Sequence, residues 1–153
     1  SRGLGDVYKR QVLKSGYSGK CGLFDLSDGK QVIDFRYDDI TLLGFNRALG
    51  KDGSRRYLLD TSTGDVIASL PPNIGAAHFN ETPVTWIFRA KSYYGIIDEE
   101  GNILYEDAKD PLTGVTKFRH GFSGGQKDNK KWGILKSDGT WLVHPAYDYI
   151  KLL

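Results

Sequence analysis

Three kinds of residue in this chain have the chemistry to act on a ligand. Asp25, Asp60 and Asp98 recur at the end of similar apolar stretches, each beside a glycine turn. Converging carboxylates of this kind bind calcium only when several oxygen ligands meet at one point. The other reading is turn chemistry, in which Asp accepts hydrogen bonds from local backbone N–H groups. His78, His120 and His144 lie far apart, without HxxxH spacing or a cysteine partner, so they do not describe a zinc site. Cys21 is the single cysteine, so no internal disulfide framework exists. No GxSxG elbow is present to anchor a serine nucleophile. The third kind is aromatic. Trp86, Trp132 and Trp141, with Tyr17, Tyr93, Tyr105 and Tyr149, either line a groove for glycans or peptides or fill the space between packed units.

The elements that must position these side chains are short strands joined by glycine turns. Lys20–Asp25, Tyr57–Asp60, Tyr94–Asp98 and Trp132–Leu135 read as strands. Gly29, Gly64, Gly101 and Gly139 follow them as turn residues, spaced 35, 37 and 38 apart. Glycine between apolar runs supplies the positive φ that a hairpin turn demands. A repeat near 37 residues, with no helix-period segment, predicts tandem antiparallel β-meanders. The chain is therefore expected to be all-β, with its units packed like propeller blades or as an open solenoid-like array. The copies fall near 20–55, 56–92, 93–130 and 131–153. Pro71-Pro72-Asn73 and the stretch through Asp110-Pro111 make the ends of the second and third copies irregular.

Aligned strands place Gly22, Tyr57, Gly95 and Gly133 in one column, preceded by Cys21, Arg56, Tyr94 and Trp132. Mid-strand glycine signals a backbone or side chain approaching closely. Cys21, sitting in the Trp132 column, reads as a packed residue and not a nucleophile. Gly124-Gly125 reads as a pair near a turn or bulge. Apolar residues at successive positions after the glycine column predict that both faces of each sheet are covered.

Lys131-Trp132-Gly133-Ile134, Asp138-Gly139, Val143-His144-Pro145 and Tyr147-Asp148-x-Ile150 together resemble the bacterial WG-repeat family, also called KWG repeats. The first copy carries the same tail, Tyr37-Asp38-x-Ile40, eight residues after its turn glycine, as does the fourth. The resemblance runs from Lys20 to Ile150; only the fourth copy has the full Trp-Gly, and the second has Arg56-Tyr57 instead. It implies a β-rich tandem repeat and carries over no catalytic, cofactor-binding or metal-ligating residue. Its positions, Gly22, Gly29, Tyr37, Asp38, Ile40, Gly64, Gly95, Gly101, Trp132, Gly133, Gly139, Tyr147, Asp148 and Ile150, are structural. Ser137-Asp138-Gly139-Thr140-Trp141 is similar to the aspartate box of sialidase-like propellers, but the spacers between its residues are missing.

Residues 1–11 need separate treatment. Asp6-Val7-Tyr8-Lys9-Arg10-Gln11 resembles a translated sequencing adapter, which suggests an environmental-DNA reading frame and a non-native segment. The array proper then spans 12–153. The net charge of +2 resides wholly in Arg2, Lys9, Arg10 and Asp6, and the remainder is neutral. A nucleic-acid partner, which needs a basic stripe, loses its support. No apolar run reaches the roughly 18–20 residues of a membrane span. The expected role is a non-catalytic binding or scaffold module, without cofactor or metal, in a larger bacterial protein. It would engage a protein or a cell-envelope polymer, with further repeats of the same chain beyond these four. The alternative is a glycan-active hydrolase with its site on a β-propeller. A secreted or envelope-associated location fits either reading.

Overall fold

The computed structural model describes residues 9–107 and 109–153. Every named element is a strand, and every strand pairing is antiparallel. The chain divides into two compact units between Asn73 and Ile74. In the first unit, β1 (Arg10–Lys14), β2 (Cys21–Asp25) and β3 (Gln31–Tyr37) form a three-stranded meander. β4 (Asp39–Gly44), β5 (Arg47–Asp52), β6 (Arg55–Asp60) and β7 (Val66–Leu70) form a four-stranded one. Leu23, Ile33 and Tyr37 from the first sheet share a core with Ala48 and Leu59 from the second. Burial of these side chains away from water is what holds two small sheets together.

The second unit repeats the pattern. β8 (Gly75–Asn80), β9 (Thr85–Arg89), β10 (Tyr94–Asp98) and β11 (Ile103–Tyr105) form one meander. β12 (Leu112–Val115), β13 (Phe122–Lys127), β14 (Trp132–Lys136) and β15 (Trp141–Tyr147) form the next. The two ladders meet at a single residue pair, Tyr94 with Leu112. Ile87, Ile96 and Tyr105 pack with Leu112 and Leu135 across them. Residues 1–8 of the adapter-like segment lie outside the described residues, while Arg10 and Gln11 begin β1.

The sheets are offset from the copies read in the sequence. The glycine-column strand is the third of each four-stranded meander, β6, β10 and β14, and not its first. The copies starting near 20, 56, 93 and 131 therefore begin inside a sheet. The reason lies in the connections. The turn at Gly53 is a tight hairpin, with Asp52 paired to Arg55, so it cannot separate two sheets. The ladder is broken instead after Tyr37, Leu70 and Tyr105. Gly124 also differs from expectation. It sits within β13, paired with Ile134, away from any turn.

The structure gives the glycine column a physical cause. In the first and fourth copies the return strand bulges. Cys21 pairs with Tyr37 and Leu23 with Ile33, so two steps on β2 face four on β3. Trp132 pairs with Tyr147 and Ile134 with Val143 in the same way. The bulge brings a backbone carbonyl over the glycine. A Cβ on Gly22 would lie 2.7 Å from Ile33 O, and one on Gly133 only 2.3 Å from Val143 O. The second copy has no such bulge at its column: Arg56, Tyr57 and Leu58 pair regularly with Leu70, Ser69 and Ala68. Tyr57 is tolerated there, and the glycine moves across the ladder to Gly50, its partner on β5. A Cβ at Gly50 would lie 2.9 Å from the ring of Tyr37, which meets Tyr57 edge-on at 6.1 Å.

The charged ends of the motif close the same bulges. Lys20 pairs with Asp38, and Lys131 with Asp148. In the third copy Tyr93 takes the lysine position and donates to Glu106 at 3.0 Å, so that the shortened tail keeps the bond with different residues. The turn aspartates do turn chemistry. Asp25 accepts from Ser27 N–H, Asp60 from Ser62 N–H, and Asp98 from Glu100 and Asn102 N–H.

Candidate functional site

The residues with the most chemical potential gather in a cleft of about 520 Å³ in the second unit, lined by Tyr105, Asp107, Asp110, Lys127, Asn129, Trp141, His144 and Pro145. Its volume lies within the roughly 300–1,000 Å³ of small-molecule sites. Lys127 is its centre. The side chain ends β13 opposite Leu112, and only 9% of the residue is exposed. A lysine this buried must be paired. Its ammonium donates to Asp110 O at 3.0 Å and lies 3.2 Å from the Asp110 carboxylate and 3.5 Å from that of Asp107. It also sits 5.6 Å from the Tyr105 ring centre and 5.9 Å from that of Trp141, within the range of cation–π attraction.

Each wall has its own support. Tyr105 and Trp141 meet edge-on with centres 5.9 Å apart. Gly125 leaves room for the indole: a Cβ there would lie 2.7 Å from Trp141 Cη2. Asp107 is fixed by two backbone donors, Lys109 N–H at 3.0 Å and Asp110 N–H at 3.2 Å. Asn129 Oδ1 accepts from Lys131 N–H at 2.9 Å, which turns its amide nitrogen to other partners. Tyr105 Oη is buried and has no hydrogen-bond partner of regular geometry.

The protonation states follow from these contacts. Burial opposes the charge on Lys127, but the neighbouring Tyr105 phenol and the Asp110 carboxylate outweigh it and hold its pKa above the ordinary 10.5. The Lys109 and Asp110 backbone N–H groups, with Lys127, hold Asp107 below its usual 3.8. Neither group is poised to exchange a proton near neutral pH. For Asp107, a lowered folded-state pKa means stabilisation present above the unfolded value of 3.8 and lost as pH falls through the folded one. Asp107→Asn is thus expected to be less stable than the parent chain at neutral pH, with the gap narrowing as the medium is acidified below 3.8. Urea denaturation across that pH range measures this, and a gap that does not narrow in acid would contradict it.

The other singled-out residues separate clearly. Of the aromatic candidates, Tyr105 and Trp141 come together in the cleft, with His144 at its rim. Trp86 is core, 2% exposed and 5.7 Å from the Phe79 ring. Trp132 lines a separate apolar pocket of about 300 Å³ with Tyr147, Tyr149 and Ile150. Tyr17 is fully exposed. Cys21 is buried, its Sγ 3.6 Å from Asp38 O. His120 occupies a tight turn at φ 53°, and His78 is half-buried, its pKa lowered by burial and by Lys117. Among the described residues no group of three or more His, Cys, Asp or Glu side chains is placed to hold a metal ion. Nor does any helix of the described residues have the length and apolarity to cross a membrane.

The sequence reading did not single out Lys127, Asp107, Asp110 or Asn129 as ligand-binding residues. Lys127 lies in a polar run, Lys127-Asp128-Asn129-Lys130-Lys131, that reads as a solvated turn. One signal was present: Lys127 is two residues from Gly125, so the strand period puts it on the face that glycine opens.

No family model matches the chain. No curated protein matches it either. Solved structures do. The computationally designed Ika8 protein superposes with a TM-score of 0.53 at 12% identity, covering 91% of this chain and 48% of that one. KlHsv2, with its loop 6CD replaced by a Gly-Ser linker, gives 0.52 at 10% identity, over 87% and 46%. BamB from Moraxella catarrhalis gives 0.43 at 16% identity, over 86% and 38%. This chain spans about half the length of the first two structures. At such identities the likeness concerns the fold alone, which is all-β and antiparallel.

Proposed function

We propose that this chain is an array of WG-type repeats serving as a non-catalytic binding module of a larger bacterial protein, and that it engages its protein or cell-envelope partner through the Lys127 cleft. The kinship is supported by the way the motif residues act together: lysine, glycine and the Tyr-Asp tail all belong to one bulged strand pair. The observation that carries the function is the ionic arrangement of the cleft, in which the buried Lys127 ammonium is held between the Asp107 and Asp110 carboxylates. A hydrolase needs a carboxyl whose pKa is raised toward the working pH. Asp107 is instead pulled down, and Lys127 is kept charged.

The competing reading is a glycan-active hydrolase, favoured by two carboxylates, Asp107 and Asp110, opening on one cleft. A panel of chromogenic glycosides, esters and phosphomonoesters distinguishes the two, with elemental analysis of the purified protein. No turnover and no stoichiometric metal are expected. Turnover that disappears in Asp107→Asn or Asp110→Asn would establish the hydrolase instead.

A further inference from the structure

We infer that the Lys127 cleft takes an uncharged, hydroxyl-rich ligand, a neutral oligosaccharide segment, stacked on Trp141 and hydrogen-bonded to Asp110 and Asn129. This rests on the binding reading above and names the class of ligand it implies.

Charge decides between ligand classes. Two carboxylates face the cleft, with side chains 43% and 53% exposed, so an anionic ligand is repelled. A cationic ligand would be drawn to them, but that position is filled. The Lys127 ammonium already stands between both carboxylates and both rings. A second cation would meet it at short range, with one of the two negative charges already compensated. A neutral ligand that donates hydrogen bonds meets no opposing charge.

The remaining groups match hydroxyls. The exposed Asp110 carboxylate has acceptor capacity beyond its contact with Lys127, and a carboxylate offers about four lone-pair sites. Asn129 has its amide nitrogen to donate. Tyr105 is nine-tenths buried and lines the cleft, where its ring and phenol support Lys127. Trp141 and Pro145 add the apolar surface on which the C–H face of a sugar ring rests.

The experiment is calorimetric titration of the full chain with three hexameric probes: cellohexaose, hexalysine and hexagalacturonate. Cellohexaose is expected to bind at millimolar concentration or below, with little change between low and high salt. Asn129→Ala and Asp110→Asn, both at exposed positions, are each expected to weaken it several-fold. Trp141→Phe is expected to weaken it roughly ten-fold, in line with the loss of an aromatic anchor. Circular dichroism checks that each variant is folded.

Absence of cellohexaose binding to the folded chain overturns the inference. So does binding that all three variants leave unchanged, or preferential binding of hexalysine with a steep salt dependence. The two readings fail separately. Cleavage of cellohexaose would end the non-catalytic reading and leave the ligand class standing. Failure to bind, with no turnover, would do the reverse.

Discussion

Gly133→Val is expected to lower the unfolding free energy by about 3 kcal/mol, and Gly124→Val by about 1. Both glycines lie within strands, so composition and strand propensity do not separate them. What separates them is the nature of the neighbour. A Cβ at Gly133 meets backbone on every side: Val143 O at 2.3 Å, Pro145 N at 2.7 Å and the His144 carbonyl carbon at 2.8 Å. These atoms belong to a bulge that is hydrogen-bonded on one side and stiffened by a proline, so they cannot step aside without unmaking the β14–β15 ladder. A Cβ at Gly124 meets only side-chain atoms of Thr116 and Ile150, at 3.1–3.3 Å; the Ile150 side chain can give by a few tenths of an ångström, while Thr116 Oγ1 accepts from Gly124 N–H at 2.7 Å and yields less. Urea denaturation of the two variants reads the difference directly. Equal midpoints, or a larger loss at Gly124, would show that β15 does not bulge over Gly133.

Removing Lys127 is the second large effect. Lys127→Ala is expected to destabilise the chain by about 2–3 kcal/mol, and Lys127→Met by about 1 less. The alanine change removes the buried apolar stem as well as the charge that faces the Tyr105 and Trp141 rings. Methionine keeps most of the stem. Both variants leave Asp107 and Asp110 without their common counter-ion, but those carboxylates are 43% and 53% exposed and regain water. That hydration keeps the loss below the roughly 3–5 kcal/mol of a fully buried broken pair. Denaturation of the two variants in parallel separates stem from charge. If neither midpoint moves, Lys127 is not the support of the cleft.

The architecture was largely legible because turns and strands are local. Gly29, Gly64, Gly101 and Gly139 all take positive φ, between 74° and 90°, as the apolar–turn–apolar pattern predicts. Asp25, Asp60 and Asp98 hold the hairpins they precede. The phase of the repeat was not legible. Whether Gly53 joins two strands of one sheet or separates two sheets depends on which ladder the following strand continues, and that is a non-local choice. The Tyr57 departure was visible, yet its compensation at Gly50 was not, since the two are matched only across the β5–β6 register. The cleft was half legible. Tyr105, Trp141 and His144 stood out as residue types. Lys127 comes from β13, and Asp107 and Asp110 from the loop between β11 and β12, and each alone looks like an ordinary surface charge.

The meeting of the third and fourth meanders bears on how such a chain changes over generations. Their ladders share one residue pair, Tyr94 with Leu112, and otherwise touch through side chains and where the Gly139 turn lies against the Leu104 carbonyl. A recombination event that inserts or removes a whole meander at this seam would rewrite one backbone pairing and leave every hairpin intact. The new neighbour need only present apolar residues of suitable size and a glycine at the turn that meets the carbonyl, because side-chain packing is non-directional where hydrogen bonding is not. Lineages carrying this fold can therefore lengthen and shorten by whole units. Substitution within a unit is held more tightly, by glycines that a bulge has placed under carbonyl oxygens. Freedom in the number of units and constraint within each unit follow from the same geometry.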